Sequence, residues 1–239
     1  MRTNTRKKKP SDFGFVPKEE ELYQLPDSWA WTKIGAIADI LRGVSYQKGD
    51  AQTKPSETNC LILRGGNVQD GKIVDAPDNV YVDKSLVRDS QFLSQGDVVV
   101  VSSTGSKKVI GKAASVLTTN NNVSFGAFLT LLRPSSVVNS DFFGLYFQTS
   151  TYRNTISALS KGSNINNIKA SHLEELHFPI PQKDEQERIV QVLYSFWERI
   201  GTVRQLLGDN GHFEELWQSI LFKAFRGELD SELAVQGLK

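Results

Sequence analysis

FPIPQKDEQERIVQVLYSFWERI, residues 178–200, passes from a short extended run directly into a strongly periodic helix. The two prolines remove backbone donors and restrict the residues before them, which predicts a short extended element at 177–181. Asp184 and Glu187 have the spacing of a capping box, so a helix is expected to begin just after Pro181. This stretch therefore marks the end of a domain and the start of a helix that leaves it.

Apolar residues recur along this helix at alternating intervals of four and three, the pattern of a coiled-coil seam. A continuous helix over 184–224 would be roughly 60 Å long. The interruption GDNG at 208–211 could instead divide it into a helical hairpin folded on the domain. Because an exposed apolar stripe favours self-association, we predict antiparallel dimerisation through this segment. The predicted dimerisation positions are Ile189, Leu193, Phe196, Ile200, Val203, Leu207, Phe213, Trp217 and Ile220.

Upstream of the helix, short β-like runs are separated by turn residues. The run GDVVVVSSTG (96–105) is the strongest of them, since four consecutive valines indicate a strand buried on both faces. The apolar period becomes helical over 141–160, and Ser171 with Glu174 predicts a further short helix. Strands followed by segregated helices predict an α+β fold: a mixed, mainly β domain over 25–181 and a long C-terminal coiled-coil helix.

Segments of different composition flank this domain. Residues 1–24 combine basic and acidic clusters with few apolar side chains, which predicts a flexible tail. Structure is expected to begin within LPDSWAWTKIGAIADI (25–40), whose isoleucines have near-helical spacing. The spacer and dimerisation helix is assigned to 182–226, and 227–239 are assigned to a C-terminal tail.

Composition excludes several classes of protein. The chain has 239 residues, of which 39% are hydrophobic and 23% charged, as is ordinary for a globular protein. It contains no apolar run long enough to span a membrane, and no apolar stretch follows the basic N-terminus as in a secretory signal. Cys60 is the only cysteine, which excludes internal disulfides and cysteine metal clusters and fits a cytoplasmic location.

Sequence signatures of catalysis are absent. His172, His177 and His212 are the only histidines, and none has another histidine one helical turn away, so no metal site is predicted. The sequence contains no G-x-S-x-G, no Walker A motif and no dinucleotide fingerprint after a strand. These absences favour a non-catalytic binding module that needs no cofactor.

The net charge of +1 conceals an uneven distribution along the chain. Residues 101–173 carry seven basic residues and one acidic residue, a balance of +6. A locally basic segment in a neutral protein is the footprint of a polyanionic partner such as DNA, although a solvated lysine face is the alternative.

Loops rich in glycine, hydroxyl and amide residues lie between the predicted strands. Lysine and serine suit phosphate oxygens, and asparagine can pair with adenine, although the same residues also simply make turns. The predicted DNA-binding residues are Arg42, Tyr46, Gln47, Lys48, Arg64, Asn67, Ser103, Thr104, Lys107, Lys108, Lys161, Ser163, Asn164, Asn167 and Lys169.

Taken in order, several segments resemble the specificity subunit of type I restriction–modification systems. They cover residues 25–229 and are LPDSWAWTKIGAIADI, LRGGNVQDGKI, LSQGDVVVVSSTGSKKVIGKAA, SKGSNINNIKASHLEELHFPIP, EQERIVQVL and the terminal AFRGEL. The resemblance implies a target recognition domain that reads one half of a bipartite double-stranded DNA sequence, followed by a conserved helix that acts as spacer and docking surface. It also implies that the chain is not an enzyme, and that it directs separate modification (methyltransferase) and restriction subunits.

The chain departs from the usual pattern of that family. Typical members carry two recognition domains and two conserved helices, whereas this sequence has one of each, as in a half-length subunit or a truncated copy. A half-length subunit is expected to act as a homodimer. Two other functions stay open from the residues alone: an oligomerisation or inhibitory protein that binds modification subunits without reading DNA, and a DNA methyltransferase or nuclease with a fused recognition domain.

Overall fold

The computed structural model describes residues 15–69, 71–106, 108–161, 167–208 and 212–229. Within these residues the strands are β1 (Ala30–Lys33), β2 (Ala38–Arg42), β3 (Asn59–Leu63), β4 (Val68–Gln69), β5 (Lys72–Ile73), β6 (Val80–Asp83), β7 (Val98–Val101), β8 (Ala113–Ser115), β9 (Val123–Phe125), β10 (Leu129–Pro134) and β11 (His177–Ile180). The helices are α1 (Ile34–Ile37), α2 (Ser140–Tyr146), α3 (Ser150–Lys161), α4 (Ala170–Glu174), α5 (Lys183–Leu207) and α6 (His212–Ala224). None of these helices is both long and apolar enough to cross a membrane.

The four valines of β7 lie at the centre of the domain. β7 is an inner strand of an antiparallel sheet with the order β2-β10-β7-β8, and all four of its side chains are buried. Because successive side chains of a strand point to opposite faces, Val98 and Val100 enter one apolar core and Val99 and Val101 enter another. The predicted strand buried on both faces is confirmed.

A second sheet covers the core that contains Val99 and Val101. Its order is β6-β3-β9, in which β3 pairs with β6 in antiparallel fashion and with β9 in parallel. Leu63 of β3 faces the shared core, whereas Ile62 and Cys60 contribute to a third, smaller cluster. The extended element predicted at 177–181 is β11, which pairs with β1.

The long C-terminal helix is present, but the structure replaces the continuous helix over 184–224 by a hairpin. Gly208 caps α5 with a φ of +77°, a conformation that favours glycine. Helix α6 then returns antiparallel to α5, so that the rings of Trp197 and Trp217 lie 4.8 Å apart and the Arg204 guanidinium lies over Phe213. The predicted 182–226 spacer helix is therefore two helices, and the contacts between their aromatic residues occur within one chain.

Most of the predicted dimerisation positions are covered by the chain itself. Ile189, Leu193, Ile200 and Trp217 are buried in the core that also holds Val98 and Val100. Phe196, Phe213 and Ile220 are partly buried against the same core, whereas Val203 is exposed. The side chain of Leu207 lies outside the described residues. Most of the predicted seam is therefore covered within the chain by the domain and by the second arm of the hairpin, and its role in dimerisation stays a prediction.

The described part of the predicted N-terminal tail packs on the domain. Val16 is buried and its N–H donates to the carbonyl of Trp31, and the hydroxyl of Tyr23 donates to the carbonyl of Phe225. At the other end, the ring of Phe225 stacks on Phe142 at 4.7 Å. The segments on both sides of the predicted domain therefore contribute to its core.

Helix boundaries differ from the capping predictions. The isoleucines at 34, 37 and 40 do not share one helix, because α1 is a single turn between β1 and β2. Helix α4 begins one residue before Ser171, with Lys169 at its N-cap, and α5 begins before Asp184, with no side-chain cap from Gln182. The helix expected just after Pro181 is thus present, as is the short helix around Ser171, but the predicted capping residues lie inside these helices and not at their N-caps.

The segment 141–160 is not one helix but two. Thr149 is buried between α2 and α3, where its hydroxyl donates to the carbonyl of Tyr146 and accepts from the N–H of Tyr152. It thus acts as an N-cap for α3, a role for which threonine is well suited.

Candidate nucleic-acid interface

Several strands end at the same edge of the fold. Arg42 at the end of β2 pairs with Thr130, and Val101 at the end of β7 pairs with Leu129 at the start of β10. In the second sheet the ends of β3 and β9 are also level, since Leu63 pairs with Phe125. The loops that follow these strands therefore emerge side by side. We name the described residues of these loops, together with a nearby segment, the recognition face: 42–48, 64–67, 102–106, 108, 126–128 and 167–169.

Backbone hydrogen bonds fasten the loops of the recognition face to one another. The N–H of Gly126 donates to the carbonyl of Leu63, and the N–H of Val44 donates to the carbonyl of Phe125. A Cβ at Gly43 would lie 2.1 Å from the carbonyl oxygen of Gly126, so a side chain has no room there. Glycine at this position lets the 42–48 loop cross directly over the 126–128 turn.

The asparagine-rich loop reaches the same face through its last residues. Asn167 forms a β-bridge with Ser103, and the N–H of the buried Ile168 donates to the carbonyl of Ser102 at 2.6 Å. Asn167 and Lys169 are both exposed beside this anchor. Three predicted contact residues, Lys107, Ser163 and Asn164, lie outside the described residues, as does the side chain of Lys161.

Asn67 does not present its side chain to a ligand. It is 1% exposed, and its Oδ1 accepts from the N–H of Arg64 while its Nδ2 donates to the carbonyl of Val74 and to Asn79. The amide therefore fixes the shape of the RGGN loop and has no free group for a base edge. We leave Asn67 out of the proposed contacts, which corrects its assignment as a DNA-binding residue.

The RGGN loop and the SSTG loop enclose a cavity of about 340 Å³. Arg64 lines one side and is held by Asp78, whose carboxylate accepts from Nη1 at 2.8 Å. Ser103 and Thr104 line the other side, and Phe128 stands at the rim. Phe128 was not predicted to contact DNA, because the run 125–134 has the pattern of a strand and hides the turn at 126–128.

A second concavity lies on the other side of the 42–48 loop. It encloses about 550 Å³ and brings Arg42 together with Arg88 and Gln91. Gln91 donates from Nε2 to the carbonyl of Arg42 and so holds the loop in place. Of the residues predicted in this loop, Gln47 and Lys48 are exposed, whereas the Tyr46 ring packs partly against the third apolar cluster.

The described residues of the recognition face are basic on balance, although Asp78 borders the cavity beside Arg64. Five of them are lysine or arginine and none is acidic, the five being Arg42, Lys48, Arg64, Lys108 and Lys169. Across the described part of the chain, no group of three or more histidine, cysteine, aspartate or glutamate side chains is arranged to hold a metal ion. Cations beside hydroxyl and amide groups are the combination that contacts phosphates and base edges.

A protein-family model described as the type I restriction modification DNA specificity domain matches residues 26–207 of this chain. The chain belongs to this DNA specificity family. The resemblance seen in the sequence is thereby confirmed. The family is named for DNA specificity and not for a catalytic activity, in agreement with the prediction of a non-catalytic specificity subunit.

Curated relatives carry the same description. Over 211 residues the chain is 35% identical to the type I restriction enzyme StySPI specificity subunit of Salmonella potsdam, a match that covers 88% of this chain and 45% of that protein. Over 203 residues it is 36% identical to the EcoKI specificity subunit of Escherichia coli (strain K12), which covers 85% and 42% respectively. This member of the DNA specificity family therefore spans about half the length of the curated relatives it matches.

Solved structures share the fold. The chain aligns with a TM-score of 0.59 and 22% identity to a structure described as "Structural basis underlying complex assembly and conformational transition of the type I R-M system", covering 90% of this chain and 49% of that one. It aligns with a TM-score of 0.55 and 21% identity to the HsdS subunit from Thermoanaerobacter tengcongensis, covering 88% and 48%. The predicted α+β fold with a long C-terminal helix is confirmed.

Proposed function

We propose that this specificity domain is the DNA-recognition subunit of a type I restriction–modification complex, and that it directs modification and restriction subunits to a bipartite target. The observation that carries the proposal is the recognition face, where loops from both sheets bring five basic residues together, of which Arg64 is paired with the neighbouring Asp78. Family membership supports the same function.

Two kinds of DNA contact are proposed for this face. Lys108 and Lys169 are exposed and available to phosphate oxygens. Arg64 forms an ion pair with Asp78, but both side chains are about half exposed or more. An ion pair this exposed contributes about 0–1 kcal/mol, so a DNA phosphate can compete with Asp78 for the guanidinium.

Base edges are assigned to the hydroxyl and amide groups between these cations. Ser103 and Thr104 can both donate and accept, and the amide of Asn167 offers a donor and an acceptor side by side. The bridge between Ser103 and Asn167 holds the two loops in register, so their side chains would approach one groove together.

Exposed apolar residues of the helical hairpin underlie the proposal of a homodimer. Val203, Leu206 and Leu216 lie near the turn of the helical hairpin and are 40%, 78% and 49% exposed. These are apolar residues that the hairpin leaves outside its own packing. We assign them to an isologous contact between two copies, which would read a target with two identical, inverted half-sites.

A salt titration of DNA binding by the complex with modification subunits tests the proposal. Replacing Lys108 and Lys169 by alanine should flatten the slope of log K against log salt by up to about 2, because each neutralised phosphate contributes about 0.9. Lys223→Ala, an exposed lysine on α6, is the matched control and should leave the slope unchanged.

Two further outcomes separate the proposal from its alternatives. Binding to modification subunits without any salt-dependent DNA binding would favour an inhibitory or oligomerisation protein. Methylation mapping on a genome then tests the target: two unrelated half-sites would contradict the homodimer, whereas inverted identical half-sites are expected.

A further inference from the structure

Phe128 is the one large apolar side chain that stands exposed among the described residues of the recognition face. It is 69% exposed, at the rim of the cavity between the RGGN and SSTG loops. The neighbouring Leu129 points inward and is buried. Because side chains alternate at the start of a strand, Phe128 is held outward by the same register that places Leu129 in the core.

The backbone of Phe128 is firmly anchored. Its carbonyl accepts hydrogen bonds from the N–H groups of Ser102 and Ser103, both at 3.0 Å, and from the hydroxyl of Ser102 at 3.1 Å. The N–H of Leu129 closes the turn by donating to the carbonyl of Gly126. A turn tied in this way presents the ring at a fixed place relative to the hydroxyl and amide groups of the SSTG loop.

The surroundings of the ring are open and polar. A Cβ placed on Gly105 would meet no atom within 4 Å, and one on Gly66 would first meet Asp78 at 3.9 Å. Arg64, Ser103 and Thr104 line the same cavity. The face therefore offers an approaching ligand one apolar group surrounded by hydrogen-bonding groups.

We propose that Phe128 is a specificity-determining residue that packs against the 5-methyl group of a thymine in the half-site; this inference rests on the proposed DNA-binding function. The edges that bases present in the major groove carry polar atoms and a single apolar group, the thymine methyl. A phenyl ring beside the hydroxyl groups of Ser103 and Thr104 matches that pattern. Insertion of the ring between base pairs is the alternative mode, which costs the unstacking of a base step and bends the DNA.

The test compares DNA that differs only in this methyl group. One genomic fragment pool is amplified with thymidine and a second with deoxyuridine, and both compete for the wild-type complex with modification subunits. The wild type should prefer thymidine DNA by about fourfold for each methyl group contacted, the effect of burying one methylene-sized group. Phe128→Ser should lose this preference, and Phe128→Leu, which keeps an apolar side chain, should retain it.

Each outcome decides the proposal. Equal binding of both pools by the wild type, or an undiminished preference in Phe128→Ser, would overturn it. If Phe128→Ser binds both pools more weakly by the same factor, and the DNA is bent in the wild-type complex but not in the variant complex, the ring inserts between base pairs and the proposal is wrong. A wild type without salt-dependent DNA binding would instead overturn the proposed function, and that is measured first. Unchanged thermal melting of the exposed-site variants confirms that they fold.

Discussion

Replacing Trp217 by alanine tests whether α6 belongs to the fold of its own chain. Trp217 is 4% exposed and its ring packs against Trp197 at 4.8 Å. Trp→Ala changes in a core cost about 3–5 kcal/mol, of which about 0.5–1.5 kcal/mol can come from the aromatic pair. One side of the ring borders a groove of about 790 Å³ between the hairpin and the domain, which leaves it incompletely packed. We therefore expect a loss near the lower limit, about 3 kcal/mol.

Urea unfolding followed by circular dichroism measures this loss, and sedimentation of the same samples reports the oligomeric state. Lys223→Ala is the matched control on the same helix, because its side chain is exposed and its loss should change the free energy of unfolding by less than about 0.5 kcal/mol. The reasoning fails if Trp217→Ala keeps the wild-type free energy of unfolding within about 0.5 kcal/mol and converts a dimer into monomers. Such a result would show that the contact between the two tryptophans joins two chains.

Two further predictions concern buried polar groups. Asp97 is 1% exposed and accepts two hydrogen bonds from the Arg133 guanidinium. Asp97→Ala should therefore lower the free energy of unfolding, measured by urea unfolding, by about 3–5 kcal/mol, and replacing both residues by apolar ones should recover part of this loss. Burial raises the pKa of Tyr23 to about 12 and raises the pKa values of Tyr146 and Tyr152 above their ordinary value. Tyrosines in the unfolded chain ionise near pH 10, so the buried neutral tyrosines stabilise the fold fully below about pH 10 and lose this contribution as the pH rises further. Urea unfolding at a series of pH values should show the free energy of unfolding falling above about pH 10, and Tyr23→Phe should make this fall less steep.

Local patterns in the sequence were sufficient for features that depend on near neighbours. Four consecutive valines can be buried on both faces only within a sheet that is covered on both sides, and β7 is such a strand. The prolines at 179 and 181 restrict the backbone to an extended form whatever surrounds them, and β11 follows. In both cases the residue type itself limits the conformation.

The partner of an apolar surface could not be predicted in this way. The spacing of Leu193 and Ile200 predicts that one face of α5 is buried. It does not tell whether that face packs against a second chain or against a helix of the same chain. The choice depends on contacts distant in sequence, such as the packing of Phe225 on Phe142 that secures the end of the hairpin to the domain.

The roles of the candidate site residues could not be predicted from residue type alone. An asparagine such as Asn67 can contact a base or hold a loop, and only its burial and its hydrogen bonds decide between them. Phe128 has the residue type of a core position and became a candidate contact only when the register of β10 placed it outside. Residue types therefore predicted a DNA-binding surface, but only the folded structure shows which of these side chains are exposed on it.

Segments near the two ends of the described chain contact each other. The guanidinium of Arg226 lies 4.3 Å above the ring of Tyr23, and Gly227 packs so closely on Pro26 that an added Cβ would lie 2.4 Å from its ring. The polypeptide therefore has the form of a closed loop, and closed loops tolerate circular permutation. Joining residue 229 to residue 22 by a short peptide, and opening the chain in the exposed turn at 118–122, would give a protein with the same apolar clusters and recognition face but with ends beside β9.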